Sequence, residues 1–191
     1  MRVARLAAIG ALVGGCTCGD GGSGGDVGAV AALEAAAQAA LIERVPEVER
    51  LWTDAREGDE TELARLASRE GSAGLVERAT DPRFRSTALA AMGHVSGFAG
   101  LPTLGQSAKS GPESEAVVAV DSAARLAANK REQGDPEEVD ELRDGCAALL
   151  ASATDRARPR LVRVGAVRAL RMLVDRGCVK SADIPTELDV K

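Results

Sequence analysis

Few side chains in this 191-residue chain can do chemistry, and their spacing limits which chemistry that is. The four cysteines have separate settings. Cys16 closes a short N-terminal apolar stretch. Cys18 lies two residues later in a Gly-rich segment, where one His and no matched Cys pair leave no structural zinc site to form. Cys146 falls four residues after Leu142 on an apolar helical stripe. Cys178 follows Gly177, where a helix-end turn folds an apolar residue back onto the last turn. In an oxidising compartment Cys146 and Cys178 can form a disulfide that adds about 3–4 kcal/mol in the chain-entropy model. The other reading has them as two buried thiols, packed as small hydrophobes. The sequence leaves both open.

The one imidazole, His94, follows Gly93 in a turn. A general base needs a nucleophile in reach and a group that orients it. Ser86, Thr87 and Ser96 are close in sequence, but no nucleophile motif surrounds them, so His94 reads as a loop or capping residue and no catalytic residue is assigned. Arginine is more suggestive. Arg156, Arg158, Arg160, Arg163, Arg168 and Arg171 occur between 156 and 174 with no acid among them. At 100° per residue, Arg160, Arg163 and Arg171 lie within about 80° of one another on a helix. Such a face suits the carboxylates or phosphates of a partner. Against this, Glu137, Glu138, Asp140, Glu141 and Asp144 on the preceding helix offer pairing inside the chain and a solvated, salt-laced surface.

Composition closes other routes. Aromatics make up 2% of the chain, Trp52, Phe84 and Phe98 without any Tyr, which leaves almost no platform for stacking nucleic-acid bases. The formal charge of −5 argues against a phosphate-backbone binder. A single His excludes multi-His metal sites, the acids from Glu43 to Glu62 have no calcium-loop pattern, and no cofactor motif is present.

The elements that must carry these residues read as helices throughout. Residues 26–45 form a first stripe capped by Asp26 (Val30, Leu33, Ala37, Leu41). Pro46 opens a second with Val48, Leu51, Trp52 and Ala55, stopped by Gly58. Asp59 to Glu62 has capping-box spacing before Leu63, Leu66 and Ala67, and Gly71 breaks the run before Leu75, Val76 and Ala79. Asp81-Pro82 is expected to start a helix with Phe84, Ala88, Leu89 and Met92. Gly111-Pro112 starts one with Val117, Val120, Ala124 and Ala127. Asp135-Pro136 starts one with Val139, Leu142, Cys146, Leu149 and Leu150. Pro159 starts the last, with Val162, Ala166, Ala169, Leu170 and Leu173, ended by Gly177. The segment Arg85–Met92 aligns without a gap on Arg163–Leu170, with a fainter copy at Val120, Ala123 and Leu126. Leu101-Pro102-Thr103 matches Ile184-Pro185-Thr186 as the start of a second helix.

Two resemblances follow. Arg2 and Arg5, the apolar run Leu6–Val13, and Val13-Gly14-Gly15-Cys16 resemble the signal sequence and lipobox of bacterial lipoproteins, with Val13 where Leu is usual. The resemblance implies cleavage of residues 1–15 and lipidation of Cys16, which anchors the chain to a membrane. Thr17, in place of the Asp that marks retention, implies the outer membrane with a periplasmic-facing domain. Residues 16–25 would be the lipidated Cys and a tether, and nine of the 21 Gly fall within residues 10–28. Losing residues 1–15 removes two Arg and takes the formal charge from −5 to −7.

The Arg-x-x-Ala-type segments, with Asp81-Pro-Arg-Phe-Arg85 before Ala88 and Leu89, resemble the first helix of HEAT repeats. That implies an all-α fold of short antiparallel helix pairs stacked as a HEAT-like solenoid over residues 80–191, with residues 26–79 as an N-terminal cap; the alternative is an irregular helical bundle. The function implied is a lipid-anchored, non-catalytic scaffold or binding module for an envelope protein partner. An enzyme-like HEAT protein and a purely structural envelope lipoprotein are the alternatives.

Overall fold

Helix-capping chemistry and small residues explain most of the architecture. The computed structural model describes residues 47–128 and 136–186, with backbone alone over 136–138. Among these residues every regular element is helical and no strand occurs. They are α1 (47–55), α2 (Glu60–Arg78), α3 (Arg85–Met92), α4 (Leu101–Ser110), α5 (Glu113–Ala128), α6 (Pro136–Thr154) and α7 (Arg160–Leu173). Two 3-10 turns follow, Val174–Arg176 and Ser181–Asp183. The signal segment, Cys16, Cys18, the tether and the helix expected over 26–45 lie outside the described residues. The described residues belong to one compact unit.

Local chemistry sets the helix ends. The Asp59 carboxylate accepts from the N–H groups of Thr61 at 2.8 Å and Glu62 at 3.2 Å, satisfying two donors that the first turn of α2 cannot. Gly71, at φ 67°, interrupts α2. Pro102 sits in the first turn of α4, while Pro112 and Pro159 stand immediately before α5 and α7, where a missing N–H costs nothing. Gly177 ends the last helical turn in the left-handed conformation at φ 76°.

Asp81-Pro82 behaves differently from expectation. The Asp81 carboxylate accepts from the Arg83 N–H at 2.9 Å and pairs with its guanidinium at 2.7 Å. Those hydrogen bonds hold the carboxyl down at about 2. The result is a turn over 81–84, so α3 starts only at Arg85 and Phe84 stands before it. Phe84 instead meets Trp52 edge to face at 5.2 Å, under the Arg78 guanidinium. Trp52 also donates its indole N–H to Glu70 at 3.0 Å, joining α1 to α2.

The helices pack in pairs. α4 lies against α5 and α6 against α7, each pair joined by a short connection that makes them antiparallel. The pairs then stack, α4 on α6 and α5 on α7, while α3 extends the α5–α7 row and carries α2. Leucines fill the core (Leu66, Leu75, Leu89, Leu104, Leu149, Leu170), and fully buried Ala residues such as Ala88, Ala119, Ala123 and Ala166 stand among them. Small side chains let helix axes approach closely. Two expected features do not hold. Val139 is 59% exposed, and the next apolar residue of the stripe, Leu142, is buried. Ile184 starts no helix: it is buried in extended backbone after the Ser181–Asp183 turn.

Candidate binding face

Two sides of α7 have opposite roles. Val162, Ala166, Val167, Ala169, Leu170 and Leu173 are buried, which gives the helix a wide apolar arc and fixes its rotation. Its N-terminal end is tied down by Arg158, whose guanidinium donates to the Gly111 carbonyl at 2.9 Å, at the end of α4. Beyond its C-terminal end, Cys178 is joined to Cys146 of α6 by a disulfide with Cα atoms 6.2 Å apart. The helix is thus held at both ends.

On the outward side Leu161 is 68% exposed, Val164 37% and Met172 38%. Arg168 and Arg171 are exposed on the same side. Val164, Val167, Arg168, Arg171 and Met172 line a groove of about 440 Å³. Buried Val167 forms its floor. At 100° per residue, Leu161, Val164, Arg168, Arg171 and Met172 share an arc of about 100°. Isolated exposed apolar residues are ordinary, but three on one helical face beside two arginines form a patch.

The sequence-based arginine face is only partly realised. Arg160 and Arg171 are exposed, whereas Arg163 is half-buried and its Nε is enclosed without a hydrogen-bond partner. The reason is the width of the buried arc. Arg163 falls in azimuth between Val167 and Leu170, and both are buried. Of the α6 acids, Asp140 and Asp144 pair with Arg143 on their own helix, at 2.8 Å and 3.9 Å. Glu141 and Arg171 each have an interaction partner. The side chains of Glu137 and Glu138 lie outside the described residues.

The apolar half of this face was missed by sequence reasoning. Its signal was present: Leu161, Val164 and Met172 make a second stripe on α7, offset from the first. A helix with one strong stripe draws attention away from a weaker one.

His94 belongs to a different cluster. The Arg125 guanidinium donates to His94 Nε2 at 2.8 Å and pairs with Glu60 at 2.7 Å, which links α2, α5 and the turn after α3. A guanidinium has no acceptor, so Nε2 must be the unprotonated nitrogen. Burial, and then the Arg125 charge, hold the His94 pKa below its ordinary 6.5. The lone pair that a general base would use is therefore already engaged. Among the described residues, no three His, Cys, Asp or Glu side chains are grouped to hold a metal ion, and no helix is long and apolar enough to cross a membrane.

The sign of the pH effect follows. The unfolded chain takes up a proton near pH 6.5, and the folded chain resists it until lower pH. His94 therefore favours folding above pH 6.5, and this contribution declines as pH falls through that value toward the folded pKa. Thermal midpoints at pH 7.5 and 5.5 should differ more for the native chain than for His94→Gln. Equal differences would contradict the neutral-imidazole arrangement.

Comparison with known protein families, curated proteins and solved structures finds no match. The chemistry of the chain itself therefore carries the functional reading.

Proposed function

We propose that this protein is a lipid-anchored component of the bacterial cell envelope, whose HEAT-like helix pairs form a non-catalytic module that binds another envelope protein. The observation that carries the binding half is the outer face of α7, where exposed apolar side chains and arginines flank a groove on a helix fixed at both ends. Stacking of α4–α5 on α6–α7 supports the repeat reading, since each pair completes the apolar face of its neighbour. The Cys146–Cys178 disulfide supports an oxidising compartment such as the periplasm. Anchoring rests on the lipobox-like Val13-Gly14-Gly15-Cys16 alone.

In this reading the acyl chains hold Cys16 at the outer membrane, and the Gly-rich tether gives the helical unit room to meet its partner. No metal or cofactor has a role. The direct test is fractionation. The native chain should pellet with membranes, and Cys16→Ser should lower the membrane-to-soluble ratio by about tenfold or more, because several acyl chains give stable anchoring. A Cys16→Ser chain that still pellets would overturn the lipid anchor.

A further inference from the structure

We propose that the groove on α7 receives an amphipathic helix of a partner protein, one whose apolar stripe carries carboxylate side chains; this rests on the binding-module reading above. Leu161, Val164, Arg168 and Arg171 stand at i, i+3, i+7 and i+10, the spacing of a helix-packing seam. The seam is about 15 Å long at 1.5 Å per residue, which matches about three turns of a docking helix. Its first half is apolar, Leu161 and Val164, and its second half carries Arg168 and Arg171, with Met172 (38% exposed) alongside.

Charge chooses the occupant. Arg168 is exposed, lines the groove and makes no ion pair among the described residues, whereas Arg171 is already engaged within the chain. Two copies of this face would bring the Arg168 side chains together, and like charges across a helix interface are unfavourable. An acidic helix gains there instead. A flat bilayer fits less well. The face is a groove with a floor at Val167, and it has no Trp, Tyr or Phe of the kind that settles at a membrane interface. Carboxylates are also what arginine recognises with two parallel hydrogen bonds. Arg168 stands at the groove wall for such a contact, while Leu161 and Val164 offer apolar area beside it.

The experiment is photo-crosslinking of the full chain in its native cells. A benzophenone side chain is placed at Met172, and as a reference at Lys109 on α4, away from the groove-lining residues. The adduct at Met172 should map to an acidic, amphipathic helical segment of another protein. Arg168→Glu and Leu161→Asp should each cut its yield at least tenfold, and Arg168→Lys should keep it within about threefold. Leu161 and Arg168 are exposed, so all three variants should melt with the native chain, and this is checked first. An adduct to a second copy of the chain, an adduct to lipid, or a yield indifferent to Arg168→Glu overturns the proposal. Protein adducts from Lys109 but not from Met172 overturn it while leaving the binding-module reading intact. No protein adduct from either position overturns both.

Discussion

Replacing Cys146 and Cys178 together with Ala lowers the thermal midpoint by about 10 °C, the equivalent of about 3–4 kcal/mol. The two residues are 32 apart in sequence, so the bond removes substantial loop-closure entropy from the unfolded chain. Ala keeps the apolar character of a site where Cys146 is 1% exposed between Leu142 and Leu149, so the loss reports mainly the cross-link. Reductant supplies the second arm of the measurement. It should lower the midpoint of the native chain by a similar amount and leave the double variant unmoved. An unresponsive native chain would mean two free thiols. The structural consequence is local as well. The bond pins the turn after Gly177 to the middle of α6, and α7 is the helix that carries the candidate binding face. Loss of the bond should therefore loosen that face before it unfolds the rest, visible as faster amide exchange over the last turn of α7.

Much of the fold was legible because its signals are local. Asp59 caps α2 through its own carboxylate, proline marks the starts of α5, α6 and α7, and Gly177 supplies the left-handed residue that ends the last turn. Each of these acts within four residues, so sequence spacing suffices to find it. The internal alignment was informative in another way. Arg85–Met92, the fainter Val120–Leu126 segment and Arg163–Leu170 lie on α3, α5 and α7, which pack as one row. Similar sequence thus marks similar position in the stack. Within it, Arg85 spans three elements: its guanidinium donates to the carbonyls of Ala79 at 2.8 Å and Thr80 at 3.2 Å, and faces Glu115 of α5.

One error is local, and the others occur where distant residues decide. Asp81 accepts from both the backbone N–H and the guanidinium of Arg83, which closes a turn where a helix start was expected and leaves α3 to begin at Arg85. Val139 continues an apolar stripe one turn before Leu142, yet it stays exposed while Leu142 is buried. Arg163 looks like a surface cation until the width of the buried arc on α7 is known, and that width depends on α5 and α6 both packing against it. The site was half legible for the same reason. Arginine is conspicuous in a sequence, but exposure of Leu161, Val164 and Met172 is a property of what does not pack against them.

The glycines inside the long helices were hidden for a related reason, and they support the second large prediction: Gly145→Ala destabilises the protein by about 1–3 kcal/mol although Ala is the better helix former by about 1 kcal/mol. A Cβ at Gly145 would lie 2.5 Å from Leu101 Cγ and 2.9 Å from the Leu101 backbone carbon. On the facing helix, a Cβ at Gly105 would lie 2.8 Å from Ala148 Cβ and 2.9 Å from the Gly145 carbonyl oxygen. α4 and α6 therefore meet nearly backbone to backbone, and no side-chain rotation relieves the overlap. In the other row a Cβ on Gly165 of α7 would collide with Val120 of α5. Gly74 provides the control. A Cβ there meets only the side chain of Glu70 on the same helix, whose shift would disturb its bond to the Trp52 indole and offset the helix-propensity gain, so Gly74→Ala should stay within about 1 kcal/mol of the native chain. Denaturant midpoints of the three Ala variants should thus split, with Gly145 and Gly165 falling and Gly74 staying near the native value. Gly145→Val should fall further than Gly145→Ala, because its branched methyls enter the same occupied space. Because α6 and α7 also pack on each other, the Gly145→Ala/Gly165→Ala double variant should lose less than the sum of its parts: once one row has opened, the other gains room. Strict additivity would mean that the rows relax independently, and a stabilising Gly145→Ala would mean that α4 and α6 stand further apart than their glycines allow.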